Sequence, residues 1–381
     1  EAVVDPRLNA QGSLVAFTAG ANFYVYDIID GREVFALTSE SDTVSYGLAD
    51  FIASEELDRY RGHWWSPDGS QLVVERNDEA AVGIAWIADP TFPDAQPRPH
   101  RYPAAGTTNS DVSLLYINLA DNTQTRLPCP AENLEYLADV TWDSDNPLIV
   151  WLSRDQRTEC AYLLENSSLH LLSTKTDPHW VDCGAGVPRR LADGRLLSSM
   201  EKGNHRAIML GDSECDFGQR HVAAVIAADA LGVTALAYNN PWELQVVHVT
   251  SDGQLRELSR ADGYASAQRR GHYTVVAQSS FDYALPQYVV LRNFEEIARI
   301  HSNAQTPPVA AAPTVTTLAQ TQLPAAILLP EGHVPGSHKL PVIVSIYGGP
   351  HHSEVVASRL AFSTNQWLAN QGFAVLVIDN R

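Results

Sequence analysis

Apolar residues in the first 295 positions fall in short runs separated by polar turns, a pattern typical of β-strands. Turns rich in Pro, Asp or Gly precede these strands at residues 5–12, 66–69, 141–144 and 192–194. The strands that follow are at residues 14–17, 72–74, 148–151 and 196–197, and strand pairs continue at 233–249 and 273–291. Such imperfect repeats of strand pairs predict a β-propeller, with a pair of β-sandwiches as the alternative.

The pattern changes after residue 295. Residues 306–313 are rich in Pro and Ala, which is typical of a connection between domains. Apolar strands are predicted at 325–329, 340–347 and 373–378, with a helix over 357–371 that ends on Gly372. Continuous apolar strands of this kind indicate burial on both faces and the start of an α/β sheet. We therefore expect a propeller over 1–295 and the beginning of an α/β domain over 296–381.

An α/β sheet with a single helix would leave one face and one strand edge exposed to water. This argument predicts that the 381 residues are a fragment of a longer protein. The chain also begins without Met, so the sequence does not exclude a segment before Glu1.

The charge balance limits the kinds of ligand that this protein is expected to bind. The net charge is −19 with no run of Lys or Arg, which excludes a nucleic-acid surface and favours cationic ligands such as a peptide amino terminus. The four cysteines lack C-x-x-C spacing and are expected to be buried or idle thiols, with one or two structural disulfides as the alternative. Adjacent His351 and His352 are expected in a solvated loop, so neither a metal nor a cofactor is predicted. No apolar run reaches membrane-spanning length. The compartment stays open between cytoplasm and periplasm or secretion, with a preference for the cytoplasm.

Four ordered segments resemble the dipeptidyl peptidase IV branch of the prolyl oligopeptidase family of serine peptidases. They are G-L-A-D-F-I-A-S-E-E at 47–56, W-W-S-P-D-G at 64–69, Y-P-A-A-G-T-T-N at 102–109, and L-P-V-I-V-S-I-Y-G-G-P at 340–350. The third segment has Ala104 where the family usually has Lys. The resemblance implies a β-propeller followed by an α/β-hydrolase domain.

The resemblance also assigns roles to three residues. Glu55 and Glu56 are expected to bind the free α-ammonium of a peptide, and Tyr347 to donate a hydrogen bond in the oxyanion hole. The structural alternatives are two acids near a helix start that merely suit the helix dipole and solvent, and a strand-end aromatic that packs on the core. A helical turn or loop would let both acids reach one ligand, whereas a strand would point them to opposite faces. Asp50 is expected to cap such a short helix.

Other residues in these segments are expected to be structural. Trp64 and Trp65 should lie in a blade core, with one ring near the pocket. Arg206 is interpreted as an ordinary surface residue. Residues 102–109 are interpreted as a connection within a blade.

The implied activity is a serine exopeptidase that removes X-Pro or X-Ala dipeptides from peptides with a free amino terminus. The sequence contains no G-x-S-x-G segment, so the nucleophile and the His and Asp that follow it are absent and this chain alone should be inactive. Rivals are a tripeptidyl or acylaminoacyl peptidase and a non-catalytic propeller that binds peptides or proteins. Dimers are usual in the family, which makes a homodimer the suggested assembly.

Overall fold

Strands dominate the computed structural model, which describes residues 2–143, 145–184, 186–349 and 352–380. The chain divides into two compact units. Unit 1 contains Glu1–Cys183 and Pro188–Gly194, and unit 2 contains Gly184–Val187 and Arg195–Arg381. Antiparallel meanders, in which consecutive strands pair with one another, recur in both units.

Unit 1 contains three sheets of four or five strands. The first is a meander of β1 (Val3–Leu8), β2 (Leu14–Ala19), β3 (Asn22–Asp27) and β4 (Arg32–Leu37). The second contains β5 (Val44–Tyr46), β6 (His63–Trp65), β7 (Gln71–Asp78), β10 (Asp111–Asn118) and β11 (Thr123–Leu127). The third is a meander of β12 (Leu134–Trp142), β13 (Pro147–Ser153), β14 (Thr158–Glu165) and β15 (Ser168–Thr176). A two-residue strand, β16 (Arg189–Arg190), also belongs to this unit.

Two insertions distinguish the second sheet. The short helix α1 (Phe51–Glu56) lies between β5 and β6, and the hairpin of β8 (Ile84–Ile87) and β9 (Arg98–Arg101) lies between β7 and β10. Strand β7 is central, since β5, β6 and β10 all pair with it. The segment that carries α1 therefore leaves and rejoins the edge of one strand.

Apolar side chains of the strands form the core of unit 1. Trp64, Val73 and Trp151 belong to one buried cluster, while Trp65 packs partly buried against a second. The Trp65 indole also donates to the Arg7 carbonyl at 3.1 Å. The predicted core role of both tryptophans is confirmed.

Unit 2 continues the meanders. Its first three strands are β17 (Leu196–Lys202), β18 (His205–Leu210) and β19 (Ser213–Cys215). The next sheet contains β20 (His221–Asp229), β21 (Gly232–Tyr238), β22 (Gln245–Thr250) and β23 (Leu255–Glu257). The last meander contains β24 (Tyr264–Arg270), β25 (Tyr273–Ser279), β26 (Gln287–Arg292) and β27 (Glu295–Ile300).

A mixed sheet follows in unit 2. It contains β28 (Thr314–Thr317), β29 (Pro324–Leu328), β30 (Val342–Ser345) and β31 (Ala374–Ile378), in the order β28-β29-β31-β30. Strands β30 and β31 are parallel, and the chain between them contains a 3₁₀ turn (Leu360–Phe362) and the helix α2 (Ser363–Asn370). A parallel pair needs such a crossover because its two strands start at the same end of the sheet.

Three local predictions are corrected. Residues 5–12 are not all turn, because Asp5 and Pro6 lie within β1 at a bulge between Val4 and Arg7. Strand β30 is not buried on both faces, since it is an edge strand with exposed Val342 and Val344. The predicted helix over 357–371 begins only at residue 360.

The late start of that helix has a cause elsewhere in unit 2. The Ala357 amide donates to the Trp242 carbonyl at 2.7 Å, and the Arg359 amide donates to the Ser280 carbonyl at 3.1 Å. These amides are thus committed to loops of the preceding sheets. The predicted end of the helix is confirmed, because Gly372 has a φ of +101° and its amide bonds to the Ala369 carbonyl at 2.9 Å.

Candidate functional site

The predicted amine-binding acids lie on α1. Asp50 caps this helix, as predicted, and its carboxylate accepts from the amides of Ile52 at 3.0 Å and Ala53 at 3.4 Å. Glu55 and Glu56 are the last two residues of the helix, and both side chains are exposed. The helix has no acid in its first turn and no basic residue in its last.

This placement removes the helix-dipole alternative for the acid pair. A carboxylate at a helix C-terminus faces the negative end of the dipole, so Glu55 and Glu56 do not stabilise α1. Within residues 2–143, 145–184, 186–349 and 352–380, no salt bridge reaches either carboxylate. The two acids therefore present uncompensated negative charge to solvent, which suits a cationic ligand.

A buried ion pair lies directly beneath this helix. The Arg59 guanidinium donates from Nη1 to Glu75 Oε2 at 2.6 Å, and the two side chains are 6% and 0% exposed. The other oxygen of the same carboxylate, Glu75 Oε1, accepts from the Asp50 amide at 2.9 Å. One buried carboxylate thus contacts the residue before α1 and the residue three positions after it.

Arg59 makes further contacts from the same guanidinium. It donates to the Arg61 carbonyl at 2.6 Å, to the Leu137 carbonyl of β12 at 3.2 Å and to Asp50 Oδ1 at 3.4 Å. Its own amide bonds to the Ala53 carbonyl of α1 at 3.0 Å. The residue therefore joins the helix, the strand beneath it and a strand of the next sheet.

Burial governs the protonation of the acids in this cluster. Burial raises the pKa of Glu75 to about 7, although the Arg59 guanidinium opposes that shift. The pKa of Asp50 is also raised by burial, against Arg59 and the two amides at the helix start. Beside them, burial lowers the pKa of His63 to about 4, so this imidazole is neutral at pH 7.

Glycines bring the surrounding backbone close together. A Cβ on Gly62 would overlap the backbone of Gly47 and Leu48, where Leu48 and Arg61 form a bridge. The amides of Gly47 and Glu75 bond to the carbonyls of Glu75 at 2.9 Å and Gly62 at 2.8 Å. The two ends of the α1 segment are therefore packed backbone against backbone.

Residues 102–109 form a structural connection next to this site. The Tyr102 ring packs edge-on against Phe51 of α1, with centroids 5.3 Å apart. The Asn109 amide donates to Glu135 Oε1 at 2.8 Å, and the same oxygen accepts from Arg154 at 2.6 Å. The interpretation of this segment as a connection agrees with these contacts.

Tyr347 lies in unit 2, in the loop after β30. Its side chain is 61% exposed, and its ring packs edge-on against His352 with centroids 5.1 Å apart. Gly348 has a φ of +78°, and a Cβ on Gly349 would come within 2.5 Å of the Tyr347 ring. The two glycines thus allow the chain to turn back under the tyrosine. Pro350 and His351, named in the sequence motifs, lie outside the described residues.

Other sequence-based interpretations have clear outcomes. Arg206 is buried rather than on the surface, because its guanidinium bonds to Glu201 at 3.1 Å. All four cysteines are free thiols. In the described part of the chain, no helix combines the length and the apolar character that crossing a membrane requires.

Sequence reasoning missed Arg59 and Glu75. The available signal was a charged residue inside the apolar strand 72–75, where every side chain is buried. A buried carboxylate needs a buried partner, and Arg59 lies just before the Trp-Trp strand that pairs with β7.

The four-stranded meanders and the short interrupting helix define the class of protein, a mainly β protein with a β-propeller fold. The predicted mainly β fold with a β-propeller is thereby confirmed. The fold agrees over the whole chain with the crystal structure of Porphyromonas gingivalis dipeptidyl peptidase 4, at a TM-score of 0.82 and 22% identity. A putative dipeptidyl aminopeptidase IV from Bacteroides ovatus gives a TM-score of 0.81 at 20% identity. The chain covers 57% and 59% of these two proteins.

The sequence comparison then defines the family. The family described as "Dipeptidyl peptidase IV (DPP IV) N-terminal region" matches residues 1–221, and the chain belongs to it. Human "Dipeptidyl peptidase 8" is 27% identical over 169 residues, which is 36% of this chain and 19% of that protein. Mouse "Inactive dipeptidyl peptidase 10" is 29% identical over 168 residues, which is 42% of this chain and 21% of that protein. The aligned segments thus span about a fifth of these relatives.

Proposed function

We propose that this chain recognises the free amino terminus of a peptide, as part of a serine exopeptidase that removes X-Pro or X-Ala dipeptides. The observation that carries the proposal is the exposed pair Glu55 and Glu56 at the C-terminal end of a helix held by buried contacts. Two carboxylates without a cationic partner bind an ammonium group through charge-assisted hydrogen bonds. A blocked amine offers them no charge.

The acid pair also accounts for the type of cleavage. An exopeptidase needs a fixed distance between the group that binds the amino terminus and the group that attacks the peptide bond. An anchor for the amine excludes internal cleavage, since an internal residue has no free amine. Binding of the amine by Glu55 and Glu56 therefore supports an aminopeptidase over an endopeptidase.

Tyr347 is assigned the oxyanion-hole role. Its exposed phenol can donate to a developing oxyanion, and Gly348 and Gly349 shape the turn beneath it. Such a donor contributes about 3 kcal/mol to the transition state. The mixed sheet β28–β31 with α2 is assigned to the beginning of an α/β-hydrolase domain. The boundary is placed after β27, because the expected division between residues 295 and 296 would cut that strand of the last meander. Its parallel β30–β31 pair supports this assignment.

Hydrolysis by the whole gene product that carries this chain tests the proposal. We expect cleavage of a Gly-Pro chromogenic substrate with a free amine and no cleavage of its N-acetylated form. Glu55→Ala and Glu56→Ala should each abolish most of the activity, while Glu132→Ala, an exposed acid of the same unit, should retain it. Equal cleavage of the free and acetylated substrates would overturn amine recognition. Release of tripeptides would favour a tripeptidyl peptidase.

A non-catalytic peptide-binding protein is the second candidate. It is favoured by the similarity of this chain to the mouse protein named "Inactive dipeptidyl peptidase 10". Calorimetric titration of this chain with free and N-acetylated Gly-Pro peptides tests binding without hydrolysis. Amine-dependent binding without turnover by the whole gene product would support this candidate. A homodimer stays a prediction, which analytical ultracentrifugation can test.

A further inference from the structure

We propose that Arg59 and Glu75 are positioning residues for amine recognition, which they serve by fixing α1 and thus the carboxylates of Glu55 and Glu56. This inference rests on the proposed function, because it assigns the support of the same acid pair. Neither Arg59 nor Glu75 has to touch the peptide. They contribute by fixing the position and orientation of Glu55 and Glu56, which bind it.

The helix cannot hold this geometry on its own. Six residues are far fewer than the ~12 that an isolated helix needs to be even marginally stable in water. Its last turn carries Glu55 and Glu56 against the helix dipole, which weakens it further. The position of the acids must therefore come from contacts outside the helix.

Glu75 supplies those contacts to the residues that flank the helix, Asp50 before it and Arg59 after it. Its Oε1 accepts from the Asp50 amide at 2.9 Å, which fixes the residue that caps the helix start. Its Oε2 accepts from Arg59 at 2.6 Å, and the Arg59 amide bonds to the Ala53 carbonyl in the middle of the helix at 3.0 Å. One side chain on the central strand β7 therefore holds both ends of the segment 50–59.

Arg59 extends this support beyond the second sheet. Its guanidinium also donates to the Leu137 carbonyl of β12 at 3.2 Å and to the Arg61 carbonyl at 2.6 Å. A planar fork with five N–H donors can satisfy four acceptors in different directions, and a lysine ammonium with three donors cannot. These four contacts therefore require Arg at position 59, and another cation such as Lys could not make them all.

Burial makes the arrangement rigid. The two side chains are 6% and 0% exposed, so a shift of either would leave a charge or a polar group without a partner. A surface ion pair would exchange its partners with water and would not define a position in this way. The position of the buried pair therefore fixes the position of α1.

The test compares amine discrimination, defined as the Kd of N-acetyl-Gly-Pro peptide divided by the Kd of the free-amine peptide, measured by calorimetry on this chain. For Arg59→Lys and Glu75→Gln we expect discrimination to fall roughly 10-fold, which equals about 1.4 kcal/mol. Arg126→Lys, an exposed residue of the same sheet, is the matched control and should keep the wild-type ratio. Circular dichroism and thermal unfolding confirm that each variant is folded.

The double variant Arg59→Met/Glu75→Met keeps the test decisive if a single variant does not fold. It removes both buried charges together, which proteins tolerate better than the loss of one. A folded double variant with reduced discrimination supports the proposal, and a folded double variant with the wild-type ratio overturns it. Glu55→Ala and Glu56→Ala are measured in parallel. If Glu55→Ala and Glu56→Ala keep the wild-type discrimination, the proposed function fails. If they lose it while the Arg59 and Glu75 variants keep it, the positioning role is refuted and the proposed function stands.

Discussion

The Arg59 guanidinium lies 2.6 Å from Glu75 Oε2, with both side chains almost completely buried, across 16 residues of sequence. Charged groups at this depth are costly unless they are paired and hydrogen-bonded. Glu75 accepts a second hydrogen bond from the Asp50 amide, and Arg59 donates three more. The pair is therefore satisfied, and its removal should have measurable consequences for stability.

Loss of one partner should destabilise unit 1 strongly. Arg59→Met leaves the Glu75 carboxylate buried without its cation, and we expect a loss of about 3–5 kcal/mol in the free energy of unfolding. Arg59→Met/Glu75→Met should recover part of that loss because no unpaired charge stays buried. Urea unfolding followed by tryptophan fluorescence measures both variants. Equal destabilisation by the single and double variants would contradict this account.

The stability of unit 1 should depend on pH through two opposing groups. Burial lowers the pKa of His63 from 6.5 to about 4, so the unfolded chain alone binds this proton and stability falls as the pH drops from 6.5 to 4. Burial raises the pKa of Glu75 from 4.5 to about 7, so the folded chain alone binds that proton and stability falls as the pH rises from 4.5 to 7. Each effect corresponds to about 3 kcal/mol over its full range.

Single substitutions should separate these two effects. Relative to the wild type, Glu75→Gln should gain stability as the pH rises from about 4.5 to 7, because the variant lacks the carboxyl group whose deprotonation destabilises the folded wild type. His63→Gln should show the reverse, with relative stability that falls as the pH rises from about 4 to 6.5. Urea midpoints at pH 4.5, 5.5 and 6.5 measure these slopes. Parallel profiles for the wild type and both variants would refute the assignment.

A methyl group at Gly62 should disrupt the base of the α1 segment. The added Cβ would overlap the backbone of Gly47 and Leu48, which cannot move aside as a side chain can. We expect Gly62→Ala to destabilise unit 1 by more than about 2 kcal/mol, as strained backbone contacts do. Gly83→Ala is the control, since its Cβ would have only the Tyr102 carbonyl at 3.9 Å. Similar thermal midpoints for the two variants would contradict the close approach.

Loss of the Tyr347 hydroxyl should reduce turnover and leave binding intact. If the phenol stabilises the oxyanion, Tyr347→Phe in the whole gene product should lower kcat by roughly 100- to 1000-fold with little change in KM. Tyr273→Phe, an exposed tyrosine of the same unit, serves as the control. Hydrolysis of the Gly-Pro substrate gives both constants. A rise in KM at unchanged kcat would instead assign Tyr347 to substrate binding.

Local sequence patterns predicted much of the fold. Short apolar runs identified strands such as β2, β7 and β13, because the apolar residues of each strand are neighbours in the sequence. Burial alternates along β2, whereas every residue of β13 is buried. Asp50 was likewise recognisable as a cap from its place before a short helix. These features depend on interactions within a few residues of the chain.

Features set by distant partners were not predictable in the same way. The exposure of Val342 follows from the position of β30 at the edge of its sheet, which the apolar run does not encode. The helix near residue 360 starts late because two amides bond to carbonyls more than 75 residues earlier in the chain. Glu75 is a charged residue within an apolar run, but that run does not indicate that its partner is Arg59, which lies 16 residues earlier in the chain. The roles of Glu55, Glu56 and Tyr347 stay predictions.

The attachment of residues 50–59 to a single carboxylate has an evolutionary consequence. The segment leaves and returns to β7 at one place, so its interior can change in length or sequence without a shift in the strand register on either side. Hydrogen bonds from Asp50 and Arg59 to Glu75 hold the two ends of the segment. New end-group preferences could therefore be obtained by replacing residues 51–58 as a block, with the rest of the sheet unchanged.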